Sequence, residues 1–213
     1  MAAPVVHGPS YSTYVRTARL ALIEKGVEYK LQDVNMFAGE TAASPHINRQ
    51  PFAKVPSFEH DGFDLYETGA IVRYVDRAFP GRALQPADPR HAARMDQIIS
   101  IIDSYAYGAI VGQLVWQRLV VPMTGGQPDE AIVAASLPRV KLCLSEFERL
   151  AAGGQHLVGG GLSLADLYLA PVFAYLIGTP ESGGLLADKP KLKAWWGAYS
   201  QTPAMKGTEP QFG

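Results

Sequence analysis

The segment Pro80-Gly81-Arg82-Ala83-Leu84-Gln85-Pro86-Ala87-Asp88-Pro89 divides the chain into two halves with different apolar periods. Prolines and small polar residues at this density make a linker. Upstream, short β-branched runs of period two alternate with helical patterns. Downstream, only the helical period is found. A chain that mixes both periods and then keeps one folds as an α/β domain followed by an all-α domain. The prediction is a domain over residues 1–80, a linker over 81–89 and a helical domain over 90–213.

Within the first domain, Pro4 to His7 reads as a short strand that stops at Gly8-Pro9. A helix follows, with Val15, Ala18, Leu20, Leu22 and Ile23 apolar and Gly26 where a C-cap glycine belongs. Val27 to Val34 alternates as a strand, and residues 35–51 are a long loop. Val55 to Glu59 and Phe63 to Tyr66 flank Asp61-Gly62, the signature of a hairpin turn. Thr68 is expected to cap a helix running to Phe79. The order is β-α-β, loop, β-β-α. In the second domain, helices are expected from Asp88 to about Val121, from Asp129 to Leu150, from Ser163 onward, and from Pro190 to Gln201.

Charge and cysteine content narrow the function. Nineteen Lys and Arg against 20 Asp and Glu leave a net charge of −1, no electrostatic footprint for nucleic acid. One cysteine in 213 residues allows no internal disulfide and no cysteine-built zinc site. The five histidines lack ligand spacing, so no metal is expected. No uninterrupted run of about 18 apolar residues exists, so no membrane-spanning helix is expected. Met1-Ala2-Ala3-Pro4-Val5-Val6 lacks a basic start before a long apolar stretch, so the expected setting is cytoplasmic.

Three short motifs carry chemistry. Gly8-Pro9-Ser10-Tyr11-Ser12-Thr13 places hydroxyls at a helix start, where unpaired N–H groups and the dipole favour an anion such as a thiolate. The plainer reading is an N-cap at Ser12 or Thr13. Lys54-Val55-Pro56-Ser57 opens a strand after a long loop, a candidate cis peptide. There Val55 could offer its backbone to an extended peptide; the alternative is an ordinary edge proline. Glu67-Thr68 at a helix start suits an α-amino-acid head, its ammonium on Glu67 and its carboxylate on Thr68 and nearby N–H groups. The alternative is again a cap.

In this order and at these spacings, the three motifs resemble the glutathione-binding half of a glutathione S-transferase, a thioredoxin-like domain. Leu22 to Tyr29, Pro51 to Pro56 and Leu65 to Ile71 look like further landmarks of that family. Leu162-Ser163-Leu164-Ala165-Asp166-Leu167 resembles its capping motif in the helical half. The likeness runs from about Val5 to Lys206 and is nearest the serine-using phi class and its bacterial relatives. It implies that Ser12 hydrogen-bonds the glutathione sulfur, with Thr13 the second candidate and Tyr11 the third, that Val55, ahead of Pro56, binds the cysteinyl backbone, and that Glu67 and Thr68 hold the γ-glutamyl head. Phi-type chains usually carry His-Lys after Gly-Glu, for the glycine carboxylate. Here Gly39-Glu40 precedes Thr41-Ala42, and Lys54, where Gln is usual, is the compensating candidate.

Tyr11 and Tyr14 are rival hydroxyls, but tyrosine-using classes place theirs nearer the strand end, where this chain has His7. Cys143 lies among apolar residues at helical spacing and no cysteine starts the first helix, which argues against mixed-disulfide chemistry. Tyr11, Met36 and Phe37, with Tyr107 and Val111, are the candidates for an electrophile site between the domains; Val115 shares the face of Tyr107 and Val111 but reads as core. The resemblance implies a homodimer using glutathione as co-substrate, without metal or membrane, that conjugates hydrophobic electrophiles and has peroxide oxygen as a second acceptor. The competing reading is a glutathione-fold binding or carrier protein with little activity.

Overall fold

A computed structural model describes residues 2–210, which form two compact units. The first holds residues 2–85 together with 202–210, and the second holds Pro86–Gln201. The chain passes from one to the other inside the expected linker. Residues 202–210, which sequence assigns to the helical half, belong with the first unit. There the Arg19 guanidinium donates to the Gly207 carbonyl at 3.0 Å and to the Tyr29 hydroxyl at 2.8 Å.

The first unit runs β1 (Val5–His7), α1 (Thr13–Glu24), β2 (Lys30–Gln32), α2 (His46–Arg49), β3 (Ser57–His60), β4 (Phe63–Tyr66) and α3 (Thr68–Ala78). The sheet order is β2-β1-β3-β4, with β1 and β2 parallel and the other pairs antiparallel. One sheet face is apolar: Val6 and Phe58 are fully buried, as are Val15, Leu22, Ile71 and Val75 of α1 and α3. Each such side chain contributes roughly 1.5–3 kcal/mol of burial, which holds the two helices on that face. Asp61 (φ 48°) and Gly62 (φ 79°) make the β3–β4 turn, both left-handed as a two-residue hairpin requires.

Two local expectations change. The strand expected over 27–34 contracts to Lys30–Gln32. Its parallel partner β1 is three residues long, and the Val27 N–H is consumed by the Leu22 carbonyl at the end of α1 (2.9 Å). Thr68 does not cap α3. It is the first helical residue, and Glu67 takes the cap position with φ 70° and no side-chain cap bond.

The second unit is helical: α4 (Pro89–Met123), α5 (Glu130–Leu150), α6 (Leu164–Ile177), α7 (Ser182–Leu186) and α8 (Pro190–Tyr199). Asp88 and Asp129 cap α4 and α5 with their carboxylates. Helix α4 winds wider, with i→i+5 bonds, over Ile102–Ala106 and Ile110–Val120. It continues past Pro122 to Met123 instead of ending before it. At 35 residues, α4 is long and apolar enough to cross a membrane by length and composition alone. Asp103, Gln113 and Gln117 interrupt its apolar positions, so no unbroken apolar run spans it. Ile98, Ile102, Ile110 and Leu114 are buried as in the core helix of a bundle, where α4 packs on α5 and α6. Asp166, fully buried, accepts from the Ser163 N–H (2.8 Å) and hydroxyl (3.0 Å), from the Leu157 N–H (2.8 Å) and from the Trp195 indole N–H (2.9 Å). The Ser163–Asp166 capping pair is thus present at the start of α6. Cys143 is buried on α5, and burial pushes its thiol up against the opposing charge of Arg139.

Candidate active site

Strand register assembles the site. His7, Ser57 and Tyr66 lie opposite one another on β1, β3 and β4. Gly8 follows His7, Pro56 precedes Ser57 and Glu67 follows Tyr66, so all three leave the sheet at the same end. The three sequence motifs are therefore brought together.

Ser12 is the N-cap of α1, in extended conformation (φ −67°, ψ 130°), with its Oγ accepting from the Val15 N–H at a long 3.4 Å. Ser12 is half-buried at the helix N-terminus, where the dipole favours an anion. Gly8 lets the loop approach closely. A Cβ there would stand 2.5 Å from Val15 Cγ2 and 3.0 Å from Val55 Cβ, and φ at Gly8 is +146°. Thr13 is buried, and its hydroxyl has no hydrogen-bond partner among the described residues. Tyr11 is half-buried, with its ring 5.9 Å from that of Phe37. Burial, aided by the Asp33 charge, pushes its phenol up, so it stays protonated at neutral pH. His7 is buried, and burial lowers its imidazole, with Arg49 adding to the effect and Glu59 opposing it.

The Val55-Pro56 peptide is cis. Because β3 begins at Ser57, the Val55 peptide groups lie outside the ladder. The approach to Val55 is built by two buried residues that sequence reasoning passed over. His46 Nε2 donates to the Lys54 carbonyl at 2.7 Å. A carbonyl can only accept, so that nitrogen carries the proton. Gln50 Oε1 accepts from the Phe52 N–H (2.7 Å) and the Lys54 N–H (3.3 Å). Between them Ala53 is held at φ 53°. One of five scattered histidines carries no signal in sequence. The Lys54 side chain is exposed.

Glu67 is exposed at φ 70°, ψ 117°, while Thr68 beside it is buried. A non-glycine residue in this region is strained, and such residues cluster where a ligand is held. Met36 and Phe37 are exposed on a loop tied by Asn35, whose Oδ1 accepts from the N–H groups of Phe37 and Ala38 at 3.0 Å. Tyr107 and Val111 are half-buried on the second unit's α4, and Val115 is buried in its core, as expected. Among the described residues, no three His, Cys, Asp or Glu stand together as metal ligands.

The family model for the glutathione S-transferase N-terminal domain matches residues 7–77, and that for the C-terminal domain matches residues 94–203. A glutathione S-transferase of Hyoscyamus muticus is 31% identical over 201 residues, 93% of this chain and 94% of that protein. The crystal structure of glutathione transferase F7 from Populus trichocarpa matches with a TM-score of 0.86 at 29% identity, over 96% of this chain and 97% of that one. Glutathione S-transferase I from maize, solved with an atrazine glutathione conjugate, matches with a TM-score of 0.83 at 29% identity, over 97% and 96% of the two chains. With both family models spanning its two units, and relatives matched along nearly its whole length, this chain belongs to the glutathione S-transferase family.

Proposed function

We propose that the protein is a serine-type glutathione transferase that binds glutathione at the shared sheet end and joins its sulfur to hydrophobic electrophiles. The observation that carries this reading is the convergence of Ser12, Val55-Pro56 and Glu67-Thr68 at one end of the sheet. Ser12 donates a hydrogen bond to the sulfur, Thr13 flanks it, the Val55 backbone pairs with the cysteinyl residue, and Glu67 with Thr68 holds the γ-glutamyl head. Lys54 reaches the glycine carboxylate. The maize relative, solved with a glutathione conjugate, supports conjugation as the reaction.

In the reaction the thiol proton leaves to solvent, assisted by Ser12 and the α1 N-terminus, which lower the cost of the thiolate. The sulfur then forms a bond to an electrophilic carbon, and the leaving group departs with its electron pair. With a peroxide as second acceptor, the sulfur bonds one peroxide oxygen as the O–O bond breaks and an alcohol leaves, and a second glutathione converts the sulfenic acid to glutathione disulfide and water. The chain contributes orientation and thiolate stabilisation, and the nucleophile is the substrate's own sulfur. Tyr11, Met36 and Phe37 are assigned to the electrophile, as are Tyr107 and Val111 of the helical unit. The same reading makes the unit of residues 2–85 with 202–210 the glutathione domain and Pro86–Gln201 the helical domain, in a cytoplasmic homodimer without metal.

Thr41-Ala42 in place of a cationic pair favours one other reading, a binding protein with little turnover. Retention on glutathione resin, with conjugation of a generic aromatic halide, separates the two. The enzyme reading expects both, with turnover lowered about 10²–10³-fold in Ser12→Ala and nearly unchanged in Tyr11→Phe. Retention without turnover of any halide or peroxide overturns it in favour of a binder. No retention overturns both.

A further inference from the structure

We propose that His46 is a positioning residue for glutathione: it acts through the Lys54 carbonyl, with Gln50 as its partner, to set the peptide that Val55 presents. The inference rests on the glutathione reading above.

The loop from Gln50 to Lys54 has no strand or long helix to hold it. It is specified from below by two side chains. His46 is 4% exposed and Gln50 is 2% exposed, so both act from the interior. His46 Nε2 holds the Lys54 carbonyl at 2.7 Å, one residue before Val55. Gln50 Oε1 holds the Lys54 N–H at 3.3 Å and the Phe52 N–H at 2.7 Å. Both faces of the Lys54 residue are therefore fixed by side-chain groups, and Ala53 is kept in the left-handed region between them. A second constraint comes from Gly8, which leaves room for Val55. The Val55 peptide groups lie outside the β3 ladder, so their direction depends on Lys54. Neither His46 nor Gln50 needs to touch glutathione for its loss to be felt there.

The hydrogen-bond roles dictate the variants. The amide nitrogen of glutamine can stand where His46 Nε2 stands and donate to the same carbonyl, whereas leucine cannot. Glutamate at position 50 keeps the acceptor that both N–H groups use, and leucine removes it. His46→Leu is expected to raise the glutathione KM about five- to thirtyfold, with kcat at saturating glutathione and the electrophile KM nearly unchanged. His46→Gln is expected to restore most of the glutathione KM. Gln50→Leu should behave as His46→Leu does, and Gln50→Glu, which keeps the acceptor but buries a carboxylate, should recover only part of the lost glutathione KM. This second pair decides the matter if His46→Leu does not fold. A glutathione KM within twofold of wild type in both leucine variants overturns the proposal, as does a His46→Gln enzyme as impaired as His46→Leu. Calorimetry with glutathione alone on the wild type separates the two levels. No binding there overturns the glutathione reading itself, while binding that the leucine variants retain unchanged overturns only the role of His46.

Discussion

Lys25, just after α1, and Asp76, near the end of α3, form a buried ion pair at 3.2 Å between residues 51 apart in sequence. The Lys25 ammonium also donates to the Asp76 and Arg82 carbonyls at 2.9 and 3.0 Å. The Asp76 carboxylate accepts in turn from the Leu84 N–H (2.8 Å) and the Gln85 amide (2.9 Å). The pair thereby fastens residues 82–85 to the first unit. Burial pushes the Asp76 carboxyl up, but the hydrogen bonds from Gln85, Leu84 and Lys25 outweigh it and hold it below the usual carboxylate value.

A depressed folded pKa contributes stability that is complete above the unfolded value, about 3.9, and is lost as pH falls through the folded value. Asp76→Asn is therefore expected to flatten the acid limb of stability below about pH 4. Lys25→Met, which strands a buried carboxylate, should cost about 3 kcal/mol at pH 7 and less as Asp76 protonates. Urea unfolding between pH 7 and 3 checks both. A Lys25→Met cost that does not change with pH would contradict the pairing.

Gly8→Ala tests the close approach at the Ser12 loop. The added Cβ meets Val15, a fully buried residue, at 2.5 Å, and the backbone there has a positive φ. Overpacking and backbone strain together should cost about 2–4 kcal/mol, and glutathione turnover should fall with the displaced loop. Thermal unfolding and a conjugation assay on the same sample give the two readouts.

Glu67→Gly separates strain from binding. Glycine accepts φ 70° without a steric penalty, so stability should be unchanged or rise by up to about 1 kcal/mol. The lost carboxylate should raise the glutathione KM about 10–100-fold, the range of a hydrogen bond to a charged group. A variant that loses stability but keeps its glutathione KM would assign Glu67 to the fold instead.

Asp166→Asn probes the interior of the helical unit. Four donors converge on two oxygens, and an amide would turn its own N–H groups towards two of them. The expected cost is about 2–4 kcal/mol. Trp195 fluorescence, followed through urea unfolding, reports the change where the indole N–H loses its acceptor. A midpoint equal to wild type would argue against the network.

Much was legible in sequence wherever the determinant is local. Asp61-Gly62 sets a turn by its own backbone preference, Ser12 caps α1 through the Val15 N–H three residues on, and Ser163 meets Asp166 at the same separation. The change of period at residues 80–89 separates a mixed unit from a helical one because patterning and secondary structure share a repeat. What sequence could not show depends on distant partners. Nothing near Glu67 announces its positive φ, and nothing near His46 shows that it holds Lys54. Trp195 reaches Asp166 from 29 residues away, and Arg19 draws residues 202–210 into the first unit from 188 away. The period-two pattern over 27–34 is longer than the strand it forms, because ladder length is set by the partner β1. By itself the sequence determined the elements, the linker and the three motifs. Only the tertiary structure put Gly8, Pro56 and Glu67 at one end of the sheet, because register across strands, and not spacing along the chain, decides which residues meet.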